Sequence, residues 1–215
     1  MIELLTTSIW ETLYMVIVSS LLAYVIGLPI GVILNITGKT GICPNRVVNG
    51  ILGFLVNVFR SVPFLILLIW IQPVTRIIVG TTVGPTSVIV PLVVSAAPFV
   101  GRMVESSLSE VDAGVIEAAQ SMGSNSWQII YKVLVPEAKP SLLIGAAISV
   151  TTILGYSSMA GIVGGGGLGA VATNYGLYRY EDLIMFITVV IIVVIVQIFQ
   201  EFGMMLAKKL DNRLK

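Results

Sequence analysis

The chain has 215 residues, of which 56% are hydrophobic and 11% charged, with 12 Lys and Arg against 11 Asp and Glu. So apolar a balance excludes an ordinary soluble domain, and cations that are scattered instead of gathered in a stripe exclude a nucleic-acid binder. With no His and a single cysteine, Cys43, His-based metal sites, His-dependent triads and an internal disulfide drop out as well.

The N-terminus, Met1-Ile-Glu-Leu-Leu, carries an acid where a secretory signal carries basic residues, so the first apolar run is expected to remain as a span. A hydrocarbon core of ~30 Å takes roughly 20 helical residues, and five runs reach that length. They are Leu13 to Leu34, Ile51 to Gln72, Thr86 to Val104, Leu142 to Val163 and Leu183 to Leu206. The expectation is an all-α integral membrane protein, one domain over 1–215 with five spans. Trp10, Tyr14 and Trp70 fall near span edges, where interfacial aromatics gather.

An odd number of spans puts the termini on opposite sides. Lys39 and Arg46, then Arg102, Lys132 and Lys139, then Lys208, Lys209, Arg213 and Lys215 share one side. The other side holds Glu3, Glu11, Arg76, Arg179, Glu181 and Asp182, so the positive-inside rule places the N-terminus outside and the C-terminus in the cytoplasm. Small residues at Gly27 and Gly31, and at Gly145 and Ser149, allow close helix approach within one chain or between two.

Arg60 is the charge that falls well inside a span, where insertion costs at least ~2.5 kcal/mol. Three readings stand open. It lines a solute path, it pairs with backbone carbonyls loosened where Pro63 removes a donor, or it snorkels to the interface.

From Glu105 to Pro140 the chain is not membrane-like. Val115, Ala118, Ala119 and Met122, and again Trp127, Ile130, Tyr131 and Leu134, repeat at helical spacing, predicting two short amphipathic helices. Gly123 suits a left-handed C-cap of the first, and Asn125 with Gln128 a capping box opening the second. Such helices could lie in the membrane interface, but that role calls for a basic polar face. The flank here holds Glu105, Glu110, Asp112 and Glu117 against Lys132, which favours a protein partner.

Two motifs resemble nucleotide loops and fail. Gly38-Lys39-Thr40 lacks the required glycine at position 33, which is Ile33, and Gly164, Gly166 and Gly169 follow an apolar span without a βαβ unit. The glycine-rich run from 164 to 169 is expected to form a flexible external or gate-adjacent turn, or a plain permissive loop.

Glu117-Ala118-Ala119, Gly123 and Val133-Leu134-Val135-Pro136 together resemble the cytoplasmic E-A-A-x-x-x-G-x9-I-x-L-P loop of ABC-importer permeases, with Val133 for the usual Ile and Val135 for Leu. The resemblance implies a type I importer fold and an ATPase-coupling loop over 105–140, carried by Glu117, Ala118, Ala119, Gly123 and Pro136. It further implies a bacterial inner membrane, a homodimer, and two ATP-binding subunits that hold ATP and Mg and supply the hydrolysis this chain does not perform. A periplasmic or lipoprotein substrate-binding protein completes the implied set.

Asn57-Val-Phe-Arg60-Ser61-Val-Pro63-Phe64 looks like a segment of amino-acid permeases, and Gly155 to Gly161 with the glycine run looks like methionine permeases. On that likeness the cargo is methionine or a close derivative, with Arg60, Ser61, Tyr156, Ser157 and Met159 as pathway candidates. Another small polar amino acid is the alternative. An ion-coupled secondary transporter would use acids inside its spans, and Glu201 falls near a cytoplasmic end instead.

Overall fold

The computed structural model describes residues 1–210, which are helices joined by short connections, with no strand among them. Arg213 and Lys215 lie outside the described residues. Four described helices are long and apolar enough to cross a bilayer, and the bent pair α2 and α3, counted as one broken span, makes five.

Helix α1 (Ile2–Thr37) starts well before the expected Leu13. At 36 residues it is about 54 Å long, more than a bilayer core requires, so it extends past the hydrocarbon. It packs along α5 (Pro85–Ser109), which continues beyond the expected end at Val104. Gly27 and Gly31 make that contact close. A Cβ on Gly27 would lie 2.7 Å from the Ala97 carbonyl oxygen, and one on Gly31 would lie 2.5 Å from that of Gly101. The pair therefore serves packing within the chain.

Around this contact sits the core: Met15, Val16 and Ala23 from α1, Leu92, Ala96, Val100 and Val104 from α5, and Ile153 and Leu154 from α9 (Lys139–Met159). Gly145 on α9 faces Met103, and the Ser149 hydroxyl donates to the Gly145 carbonyl, so the second small pair also packs inside the subunit. The last helix, α11 (Asp182–Leu210), lies against α9, with Gly203 set on Ala147.

The second expected span, Ile51 to Gln72, is not one helix. α2 (Arg46–Ser61) and α3 (Phe64–Trp70) meet at 97°. The cause is local: Pro63 disfavours helical geometry at the residue before it, and Val62 is extended at φ −80° and ψ 122°. Pro63 then opens α3 by accepting the Ile66 and Leu67 amides on its carbonyl. α4 (Gln72–Val79) follows, closed by Gly80 at φ 83°.

Between α5 and α9 lie α6 (Ala113–Ser121), α7 (Ser126–Ile129), a π-helical turn (Ile130–Leu134) and α8 (Val135–Glu137). After α9 a 3-10 turn (Ala160–Val163) leads through the glycines to α10 (Gly167–Val171) and a second π turn (Ala172–Leu177). Past Val163, where the fourth expected span ends, no helix is expected from the sequence before Leu183, so α10 and the second π turn are additions.

The α1–α5 contact generates a prediction. Gly31→Val is expected to cost about 1–3 kcal/mol by overpacking, seen as a lowered SDS-unfolding midpoint of the purified protein. Gly50→Ala, whose added Cβ would meet nothing within 4 Å, should not lower it.

Candidate functional site

The polar connection folds as its turn chemistry requires. Asp112 caps α6 by accepting the Gly114 amide, and Gly123, at φ 79°, closes the helix while the Ser124 amide donates to the Ala119 carbonyl. Asn125 and Gln128 form the reciprocal capping box at 2.8 and 2.9 Å. Local bonds thus fix the turn between the two helices.

Their apolar residues divide between two faces. Ala119, Ile129, Leu134 and Ala138 are buried in the core with Leu108 and Val111. Met122, Trp127 and Tyr131 point outward, 80, 73 and 69% exposed, with Val115 beside them. Glu117, Ala118 and Pro136 are exposed too. Of the stripe read from the sequence, the inner members anchor the helices and the outer ones form an uncovered patch with a carboxylate at its side.

The connector between α1 and α2 fastens this unit. Cys43 Sγ lies 3.2 Å from the Ser126 hydroxyl at the start of α7, and the Asn35 amide donates to Ser109 Oγ at the end of α5. Asn49 donates to the Leu34 carbonyl and to Thr37 Oγ1, holding α2 to α1. Between these parts opens a cleft of about 320 Å³ lined by Asn35, Thr40, Glu105, Ser109 and Ile116 among others.

Of the pathway candidates, Arg60 and Ser61 end α2 at its break with α3, and Tyr156 reaches the break from α9. Phe64 stacks on Tyr156, rings 4.7 Å apart and 8° from parallel, so the break leans on α9. Arg60 is exposed, its guanidinium 6.0 Å from the Phe99 ring centre. Ser61 is exposed and donates to the Asn57 carbonyl. Ser157 is buried and spends its hydroxyl on the Leu154 carbonyl, which leaves it no proton for a solute. Met159 is 42% exposed.

Arg102 was read from the sequence as a loop-flanking cation, but it lies inside α5, about two turns from its end. It pairs with the Glu105 carboxylate at 2.6 Å and donates to Asn57 Oδ1 at 2.9 Å and, more weakly, to the Gly53 carbonyl at 3.4 Å. The expected span Thr86 to Val104 already contains it, but its partners on α2 come from far away in sequence.

The glycine run is not a loose turn. Gly164, Gly166 and Gly167 have positive φ, and the Gly164 carbonyl accepts the Gly84 amide. Gly161 and Gly169 cross in backbone contact, Gly169 against the Ser158 carbonyl. Glu11 accepts the Gly167 amide at 2.7 Å and Thr12 that of Leu168 at 2.9 Å. The amides that open α10 are therefore already paired, and an added Cβ at Gly167 would strike Thr12 Oγ1. A phosphate has no place there, which is the physical reason that the G-x-G-x-x-G match carries no nucleotide chemistry. Gly169→Ala should lower the yield of folded protein in detergent, whereas Gly155→Ala, with open space around its Cβ, should match the parent in size-exclusion recovery.

Residues 27–214 match the family described as "Binding-protein-dependent transport system inner membrane component". A "Probable D-methionine transport system permease protein MetI" of Vibrio cholerae is 51% identical over 211 residues, 98% of this chain and 94% of that protein. The "D-methionine transport system permease protein MetI" of Escherichia coli K12 is 49% identical over 161 residues, 75% of this chain and 74% of that one. A solved structure described as an inward-facing conformation of the MetNI methionine ABC transporter superposes with a TM-score of 0.97 at 44% identity, covering 99% of this chain and 98% of that one. An amino acid ABC transporter solved with histidines has a TM-score of 0.79 at 18% identity, covering 96% of this chain and 94% of that one, a likeness of fold alone.

Proposed function

The chain belongs to the family of binding-protein-dependent transport system inner membrane components, and from that membership we propose that it is the permease subunit of an importer for methionine or a close derivative. Its relatives and structural neighbour are named for methionine transport, which supports that cargo over other small amino acids. The protein is a multi-pass component of the inner membrane, and ATP hydrolysis belongs to a partner subunit. In this reading the N-terminus is external, the C-terminus is cytoplasmic, and two copies of the chain enclose the path.

The observation that carries the reading is the capped pair α6 to α8, which presents Met122, Trp127, Tyr131 and the Glu117 carboxylate outward while Ala119, Ile129 and Leu134 root it in the core. Each copy seats this patch on one ATP-binding subunit that holds ATP and Mg. Ala118 lets the partner approach, Gly123 holds the turn, and Pro136 lies exposed where the second helix passes toward α9. A substrate-binding protein delivers cargo on the opposite face. Driving a state from 1:99 to 99:1 takes a differential of about 5.5 kcal/mol, so the contact must be rigid, and two turns fixed by capping bonds meet that need.

Arg60, Ser61 and Met159 are the exposed pathway candidates, and Tyr156 is tied to the break through its stack on Phe64. The guanidinium can meet the carboxylate of a zwitterionic amino acid. Buried Ser157 acts in packing.

The test is to co-express the chain with its ATPase and binding protein, reconstitute the complex and measure ATP-dependent uptake across a panel of amino acids. Methionine uptake at the expense of ATP is expected, and uptake of a different amino acid in its place would overturn the cargo. Trp127→Ala and Gly123→Val should each cut uptake at least about tenfold, the loss expected when about 1.4 kcal/mol or more of coupling disappears. Full uptake and ATPase in both variants would remove the patch from coupling. For Arg60, Arg60→Met should lose uptake while assembly and ATPase persist, and Arg60→Lys should keep part of it.

A further inference from the structure

We propose that Arg102 is a positioning residue that clamps α2 to α5, so that displacement of the coupling segment is carried to the break at Val62 and Pro63. The proposal rests on the reading of α6 to α8 as the surface that meets the ATPase.

The guanidinium joins three groups on two helices: Glu105 on its own helix, and Asn57 Oδ1 with the Gly53 carbonyl on α2. Its side chain is 27% exposed, so the guanidinium is partly withdrawn from water, and these bonds supply the partners it would otherwise lack. Gly53 matters to the approach: a Cβ there would stand 3.6 Å from Arg102 Nη2, and a larger side chain would push the guanidinium away from the α2 backbone.

Both ends of the clamp lead to elements that must move together. Toward the cytoplasm, α5 runs unbroken from Arg102 to Ser109, and Asp112, the cap of α6, follows three residues later. Glu105, the partner of Arg102, lines the cleft against the coupling helices. In the other direction, Asn57 accepts Arg102 on its side chain and the Ser61 hydroxyl on its carbonyl, one residue before the break begins. Beyond the break, Phe64 stacks on Tyr156 of α9. A chain of polar bonds and two rigid helices thus runs from the coupling segment to the bend.

The clamp makes a prediction that packing alone reverses. If residue 57 only fills space in lipid, Asn57→Leu is tolerated and Asn57→Asp, a charge in an apolar setting, is harmful. If residue 57 is the acceptor for Arg102, Asp keeps the tie and Leu breaks it.

The experiment uses the complete complex of permease, ATPase and binding protein in vesicles, measuring assembly, ATP hydrolysis and methionine uptake in parallel. Wild-type complex must first couple hydrolysis to uptake; failure there would overturn the function proposed above and leave no coupling for a clamp to serve. Given coupling, Arg102→Met and Asn57→Leu are expected to assemble and hydrolyse ATP while uptake per ATP falls at least about tenfold, and Asn57→Asp is expected to retain uptake. Wild-type uptake in Arg102→Met would overturn the clamp. So would tolerance of Asn57→Leu with damage from Asn57→Asp, or loss of assembly in all three variants, since either outcome assigns these residues to packing.

Discussion

Helices α1 and α5 approach so closely at Gly27, Gly31 and Gly101 that side chains of either helix rest on the backbone of the other, and the remaining helices are laid over that pair. In lipid there is no general hydrophobic force between helices, so close van der Waals contact through small residues has to supply the cohesion. α9 joins at Gly145 and α11 at Gly203, and α2 is held by Asn49 on one side and Arg102 on the other. A bundle joined mainly through small-residue seams owes its cohesion to a few close backbone approaches.

Beyond those seams, the cytoplasmic and external ends contrast. Facing the cytoplasm in the proposed topology, α6 to α8 are stiffened by caps and present large exposed side chains. At the other end, the glycine run is bound to α1 through Glu11 and Thr12 and to the start of α5 through Gly84. Glu11 also borders an open cleft of about 580 Å³ with Glu3, Asn174 and Tyr175. Both ends of the subunit are fixed by polar bonds.

Arg60 and Arg102 show how one residue type takes two roles. Both stand in apolar helices, but Arg102 finds a carboxylate, an amide oxygen and a backbone carbonyl, whereas Arg60 finds an aromatic face and open space. The first arrangement satisfies the guanidinium inside the protein. The second leaves the guanidinium exposed, which suits the path role proposed for it.

Hydropathy alone determined the helical class and the number of apolar crossings, because a backbone in lipid must satisfy its own hydrogen bonds and each segment does so locally. Local chemistry likewise determined the Gly123 turn, the Asn125–Gln128 box and the motif with Glu117, since caps depend on residues within one turn. The tertiary structure decided what depends on distant partners. It turned Met122, Trp127 and Tyr131 outward and Ala119 and Leu134 inward, although one periodicity contains them all. It decided what the bend at Pro63 meets, with α3 turned 97° from α2 and Phe64 stacked on Tyr156 of α9. It also converted the glycine run from an expected loose turn into a pinned crossing, and brought Glu11 to Gly167 across 156 positions. Helical spacing identifies which residues share a face, but the neighbour that covers that face is supplied by chain segments far away in sequence.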